Sequence, residues 1–172
     1  MEKLLFCMRN LLFYGGILLF LVWIAVRIVA YVQFDRNCEG YLKRAADANN
    51  IELASRELAE ALKYMQNHDL TFGYTSILYT TPDEDMGFWY KNTESAWQQL
   101  LRLDPETISD LEESNILMKL RETLCDNTSS GPSITAPPGI SIYPNNALWC
   151  ILAWLSVICA IGGFIWKVFE DW

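Results

Sequence analysis

Two apolar stretches, residues 11–32 and 147–166, constrain this chain more than any other feature of it. Each is long enough for an α-helix, rising ~1.5 Å per residue, to cross a hydrocarbon layer roughly 30 Å thick. The acidic, polar segment between them cannot enter lipid. The expected fold is therefore all-α: two transmembrane helices flanking an antiparallel helical bundle. The expected division is a short N-terminus (1–10), a first span (11–32), a helical domain (33–125), a Pro/Gly/Ser-rich tether (126–146), a second span (147–166) and a short tail (167–172).

Charge is distributed unevenly. The net charge of −8 arises in the segment between the spans, where nine Lys/Arg face eighteen Asp/Glu. Such a surface is unsuited to nucleic acid, whose binding needs Lys and Arg to displace counterions from phosphates. It is equally unsuited to broad adhesion on anionic lipid. A solvated acidic surface is the simplest reading of it.

Orientation follows from the second span. Trp149 and Trp166 stand about 25 Å apart along a helix, as interfacial aromatic anchors do. Lys167 follows that span, and the twenty residues before it hold neither Lys nor Arg. The positive-inside bias then places both termini in the cytoplasm of a plasma (inner) membrane and the central domain outside it. Arg27, Arg36, Lys43 and Arg44 oppose this orientation in a simple count. Arg27 either snorkels to the headgroups or marks the end of a span that begins near Leu4. The first segment fits an uncleaved signal anchor better than a cleaved signal peptide, because its apolar run is long for a signal core.

The segment between the spans has helical periodicity almost throughout. Apolar residues recur at Tyr31, Phe34, Cys38, Tyr41, Leu42, Ala45 and Ala48, and again, out of phase, at Ala54, Leu58, Ala61, Leu62 and Met65. A turn or kink is expected between the two stripes, at Asn49-Asn50. Residues 68–80 are rich in β-branched and aromatic side chains and read as an ordered loop. Thr81-Pro82-Asp83-Glu84 has the makings of a helix start, with Thr81 as N-cap, Pro82 at the first position and Glu84 completing a capping box. The helix it opens carries Met86, Trp89 or Tyr90, Thr93, Trp97 and Leu100 on one face. Asp104-Pro105 is expected to cap the last helix, and Ser109 with Glu112 offers a second start. These pieces fit either four helices or a long hairpin of two kinked helices, and four helices with short connections are the commoner solution.

Cys38 and Cys125 are the two cysteines outside the spans and their flanks. An outward-facing domain would be oxidising, so a disulfide between them is the expectation, with two free core thiols as the alternative. In chemistry the chain is sparse. It has one histidine, His68, expected in an exposed loop, and no Cys-x-x-Cys, phosphate-binding glycine loop or nucleophile elbow. Asp83-Glu84-Asp85 is accounted for by helix capping, and Glu112-Glu113 by a solvated helix face. No metal, cofactor or catalytic residue is expected. Phe88, Trp89 and Tyr90 project about 100° apart on a helix, so one buried face cannot hold all three; they are the candidate partner surface. Asn127-Thr128-Ser129 matches a glycosylation sequon. Within the spans, Ser156, Ala160 and Gly163, with Gly15-Gly16, are candidates for close helix packing.

At the level of layout alone, a helical domain between two spans resembles the sensory part of bacterial chemoreceptors and sensor kinases. Only residues 167–172 follow the second span, so no output domain is expected and a signal would pass laterally to a partner. The leading expectation is a non-catalytic accessory subunit or scaffold, held in the lipid bilayer and bound to another membrane protein or a second copy. The alternative is a small oligomeric channel or membrane-perturbing protein of phage or toxin type.

Overall fold

The computed structural model describes residues 2–104, 107–128 and 131–170. Pro105 of one expected helix start and Ser129 of the sequon lie outside the described residues. The chain is mostly helical, with one small two-stranded sheet, and divides into two units.

The first unit comprises Met1–Tyr31 and Asn145–Trp172. It contains most of α1 (Glu2–Phe34) and all of α6 (Asn146–Glu170). Two helical stretches, Leu5–Ala46 and Asn146–Phe169, contain segments long and apolar enough to cross a membrane. Large apolar side chains such as Leu11, Leu18, Trp154 and Phe164 point outward from these helices, an arrangement that water penalises and lipid does not.

The second unit is Val32–Pro144. The helical path passes through a π-turn at Asp35–Glu39 into α2 (Gly40–Ala46). Gly40 sits at the end of that turn, where an added Cβ would stand 3.1 Å from the carbonyl oxygen of Asp35. The chain then turns at Asn49-Asn50, and α3 (Ile51–Asn67) follows with Asn50 as its N-cap, accepting from the Leu53 amide at 2.7 Å. This break is where the two apolar stripes change phase. It lets α2 present Leu42, Ala45 and Ala46, with Phe34 and Cys38 leading in, to the Ala54, Leu58, Ala61, Leu62 and Met65 face of α3, all of them buried.

α4 (Met86–Leu101) packs on α3, and α5 (Asp110–Leu124) packs on α2, α3 and α4. One helix start differs from expectation. Pro82–Glu84 forms a single 3-10 turn, and α4 begins only at Met86. The reason is Asp85: its backbone is extended and bridges Tyr74, while its carboxylate accepts from the Phe88 amide at 2.9 Å. Thr81 instead donates its hydroxyl to the Glu84 carboxylate at 2.7 Å. α5 uses the second of its two expected starts, with Ser109 as N-cap accepting from the Glu112 amide.

The stretch expected to be a plain tether is a folded part of this unit. β1 (Cys125–Thr128) pairs antiparallel with β2 (Gly131–Ile134), with Cys125 opposite Ile134. Ile140 and Ile142, in a short 3-10 turn, are buried. The all-α description is corrected accordingly. The prolines forbid helix, but the apolar residues spaced among them still find the core.

Candidate interaction surfaces

In the first unit the small residues lie where α1 and α6 approach most closely. A Cβ on Gly16 would stand 2.6 Å from the amide nitrogen of Ala160 and 2.9 Å from the carbonyl oxygen of Ser156. One on Gly163 would stand 2.6 Å from the amide nitrogen of Phe13. Ser156 is fully buried, its hydroxyl donating to the Ala153 carbonyl at 2.7 Å. The Phe13 and Phe164 rings meet at 6.3 Å. The close approach therefore needs hydrogen at Cα in both helices. Gly15 and Gly162, by contrast, have nothing within 4 Å of an added Cβ.

Pairing Phe13 with Gly163 and Gly16 with Ala160 sets an antiparallel register. Continued along the two helices, that register puts Arg9 level with Lys167 and Arg27 level with Trp149. The interval from Arg9 to Arg27 is about 27 Å of helix, close to one hydrocarbon thickness. Arg27 lies over the Trp23 ring at 5.6 Å and Arg9 over the Phe6 ring at 4.8 Å. Trp166, one residue before Lys167, is half-buried, as is Trp149.

In the second unit the three adjacent aromatics have different fates. Tyr90 is buried; its hydroxyl accepts from Gln66 Nε2 at 2.9 Å and donates to Glu94 at 3.2 Å. Trp89 is half-buried, and Phe88 is 68% exposed. Phe88 and Trp89 line a groove of about 430 Å³ with Pro82, Ile134, Pro137 and Pro138. The candidate surface thus keeps Phe88 and Trp89 and loses Tyr90, which α3 claims for the core.

Cys38 and Cys125 are free thiols, and the expected disulfide is not formed. Cys38 is fully buried beside Tyr64, whereas Cys125 lies near Lys43 and Asp47. Cys38 stands in the π-turn before α2, whereas Lys43 and Asp47, the neighbours of Cys125, lie five and nine residues further along the chain. Burial raises the Cys125 thiol above the ordinary range, and the Asp47 carboxylate raises it further. Tyr64 is raised for the same first reason.

His68 is exposed, as expected; it stacks on Tyr64 at 4.0 Å. Two polar roles had no visible signal in the sequence. Glu57 is 3% exposed on the α3 face and pairs with Arg44 at 2.9 Å, while its Oε2 has no hydrogen-bond partner among the described residues. Glu113 is half-buried, and its carboxylate accepts from the Ile51 amide at 3.0 Å, tying α5 to the start of α3. It is not the solvated residue expected, although its neighbour Glu112 is exposed. No group of three or more His, Cys, Asp or Glu residues placed to hold a metal occurs among the described residues.

No protein-family model, curated protein or solved structure matches this chain.

Proposed function

We propose that this chain is a non-catalytic, two-pass membrane protein whose central unit, an antiparallel helical bundle, serves as an interaction module for another protein of the same membrane. The observation that carries this reading is the Gly16–Ala160 approach between two helices whose other faces are apolar and exposed. Two such helices packed through glycine need lipid as their solvent. The hydrocarbon boundaries in this reading run through Arg9 and Lys167 on one side and through Arg27 and Trp149 on the other. That arrangement turns Arg27 from an intruder into an interfacial residue, and it favours a first span earlier than residues 11–32. Both termini are cytoplasmic and the acidic unit is outside, in keeping with Lys167 and with the absence of Lys and Arg before the second span.

The partner surface in this account is the groove at Phe88 and Trp89. An exposed aromatic beside a half-buried one and two prolines gives a rigid apolar edge of the kind that anchors interfaces. An oligomeric pore is the weaker reading, because Gly16, Ser156, Ala160 and Gly163 are already used between the chain's own two helices.

Proximity labelling from the intact protein in its native membrane tests the proposal. A defined neighbouring membrane protein is expected with the parent and is lost with Phe88→Asp, while the circular dichroism of the variant is unchanged. An identical labelling profile for the two would overturn the assignment of this groove.

A further inference from the structure

Residues 70–82 are an uncharged run of thirteen in the acidic unit: Leu-Thr-Phe-Gly-Tyr-Thr-Ser-Ile-Leu-Tyr-Thr-Thr-Pro. Its base is fixed. Leu70 is buried and its amide donates to the Met65 carbonyl at 2.8 Å. The Met86 amide donates to the Gly73 carbonyl at 3.0 Å, and the Thr75 amide to the Glu84 carbonyl at 3.1 Å. Gly73 has φ of +95°, and an added Cβ would stand 2.5 Å from the Tyr143 hydroxyl, so glycine is required there. That hydroxyl donates to the Phe72 carbonyl at 3.1 Å.

The tip, in contrast, presents its apolar side chains to the outside. Leu78 is 90% exposed, Tyr79 77% and Phe72 65%, with Ile77 and Tyr74 also exposed. Water alone makes this costly, and a soluble surface seldom gathers so many large apolar groups in one loop.

Chain connectivity says which end of the unit carries the loop. Tyr143, bonded to Phe72, is three residues from Asn146, the first residue of α6, and three residues span at most ~11 Å. Phe34, packed edge-on against Tyr64 near the end of α3, is seven residues beyond Arg27, about 10 Å of helix. The loop follows α3 directly. Both points at which the chain leaves this unit toward its apolar helices therefore lie at the end of α3 that carries the loop, while Asn49 lies at the other end.

We propose that the exposed tip Ile77-Leu78-Tyr79, with Phe72 and Tyr74, inserts into the headgroup and upper acyl region of the bilayer that α1 and α6 cross, resting the acidic unit on the membrane surface. The composition fits that occupant: Phe, Tyr, Ile and Leu with no charge over thirteen positions, tyrosines included, is the chemistry of an interfacial belt. Lipid also suits the absence of charge in this loop, since carboxylates would resist desolvation and anionic headgroups alike. The proposal rests on the two-pass reading above.

The test uses the full chain in phosphatidylcholine vesicles, with the photo-crosslinking residue benzoylphenylalanine placed singly at position 78, 49 or 18. Position 18, outward on α1, reports on the spans alone. Phospholipid adducts at 78 and 18, lost at 49, are the expected result. A phospholipid adduct at 18 with none at 78 overturns this proposal and leaves the two-pass reading standing, and so does a crosslink from 78 to a second copy or another protein. Absence of a lipid adduct at both 18 and 78 overturns both.

Discussion

Gly16 of α1 lies against the backbone of Ala160 in α6, so closely that a methyl group on its Cα would stand 2.6 Å from the Ala160 amide nitrogen. Its neighbour Gly15 has nothing within 4 Å of the same position. Adjacent glycines in one apolar helix thus make opposite demands. Gly16→Leu should separate the helix pair and lower the thermal unfolding temperature in detergent, at a cost of about 1–3 kcal/mol for overpacking. Gly15→Leu should leave it unchanged. Equal effects of the two substitutions would remove the glycine contact from the account.

Glu57 and Arg44 form an asymmetric pair: the carboxylate is buried, and the guanidinium side chain is 62% exposed. Arg44→Ala should strand a buried charge and destabilise the protein by about 1–3 kcal/mol, moderated by Arg56 at 3.5 Å from the same oxygen. Glu57→Leu leaves Arg44 in water and should cost less. Urea unfolding of both variants, followed by circular dichroism, decides the order; a costlier Glu57→Leu would contradict it.

Tyr90 bridges α3 and α4 through Gln66 and carries a second bond to Glu94. Tyr90→Phe should lose about 1 kcal/mol for the hydrogen bonds removed. Phe88→Ala, at an exposed site on the same helix, should leave stability within experimental error. Chemical unfolding of the two variants checks this, and the reverse ranking would place the wrong aromatic in the core.

Cys125 titrates above the ordinary thiol range because burial and then the Asp47 carboxylate disfavour its thiolate. Since the thiolate is the nucleophile, alkylation of Cys125 should stay slow at mildly alkaline pH and accelerate only at higher pH than for a free thiol. Asp47→Asn removes the opposing charge and releases Arg121, which lies 3.7 Å from Asp47. The alkylation profile of that variant should move to lower pH, as read by peptide mass spectrometry. A profile unmoved by the substitution would separate Cys125 from Asp47.

Much of the fold was legible because it is written in helical periodicity. The Leu58 stripe of α3, the phase break at Asn49-Asn50 and the Ser109 cap could each be read from spacing and capping chemistry alone. What escaped were contacts between segments distant in sequence. Asp85 became the N-cap of α4 because its backbone pairs with Tyr74, and nothing local distinguishes it from Thr81. Glu113 looked like half of a solvated pair until α3 brought its Ile51 amide alongside. The residues after Cys125 carried too many prolines for helix, and their hairpin and buried Ile140 depend on a surface that other elements supply. In the candidate interaction surface, the sequence could say that Phe88, Trp89 and Tyr90 diverge, but only the packing of α3 selects Tyr90 for burial. The disulfide expectation failed because the two thiols have different surroundings, Tyr64 for Cys38 and Asp47 for Cys125, which composition cannot reveal.

The central claim is that lipid solvates both terminal apolar helices while the acidic unit folds outside them. Sedimentation of cell membranes after an alkaline carbonate wash tests it most directly. The intact protein is expected to remain in the pellet and to enter solution only with detergent. Recovery in the detergent-free supernatant as a dispersed monomer would contradict the account.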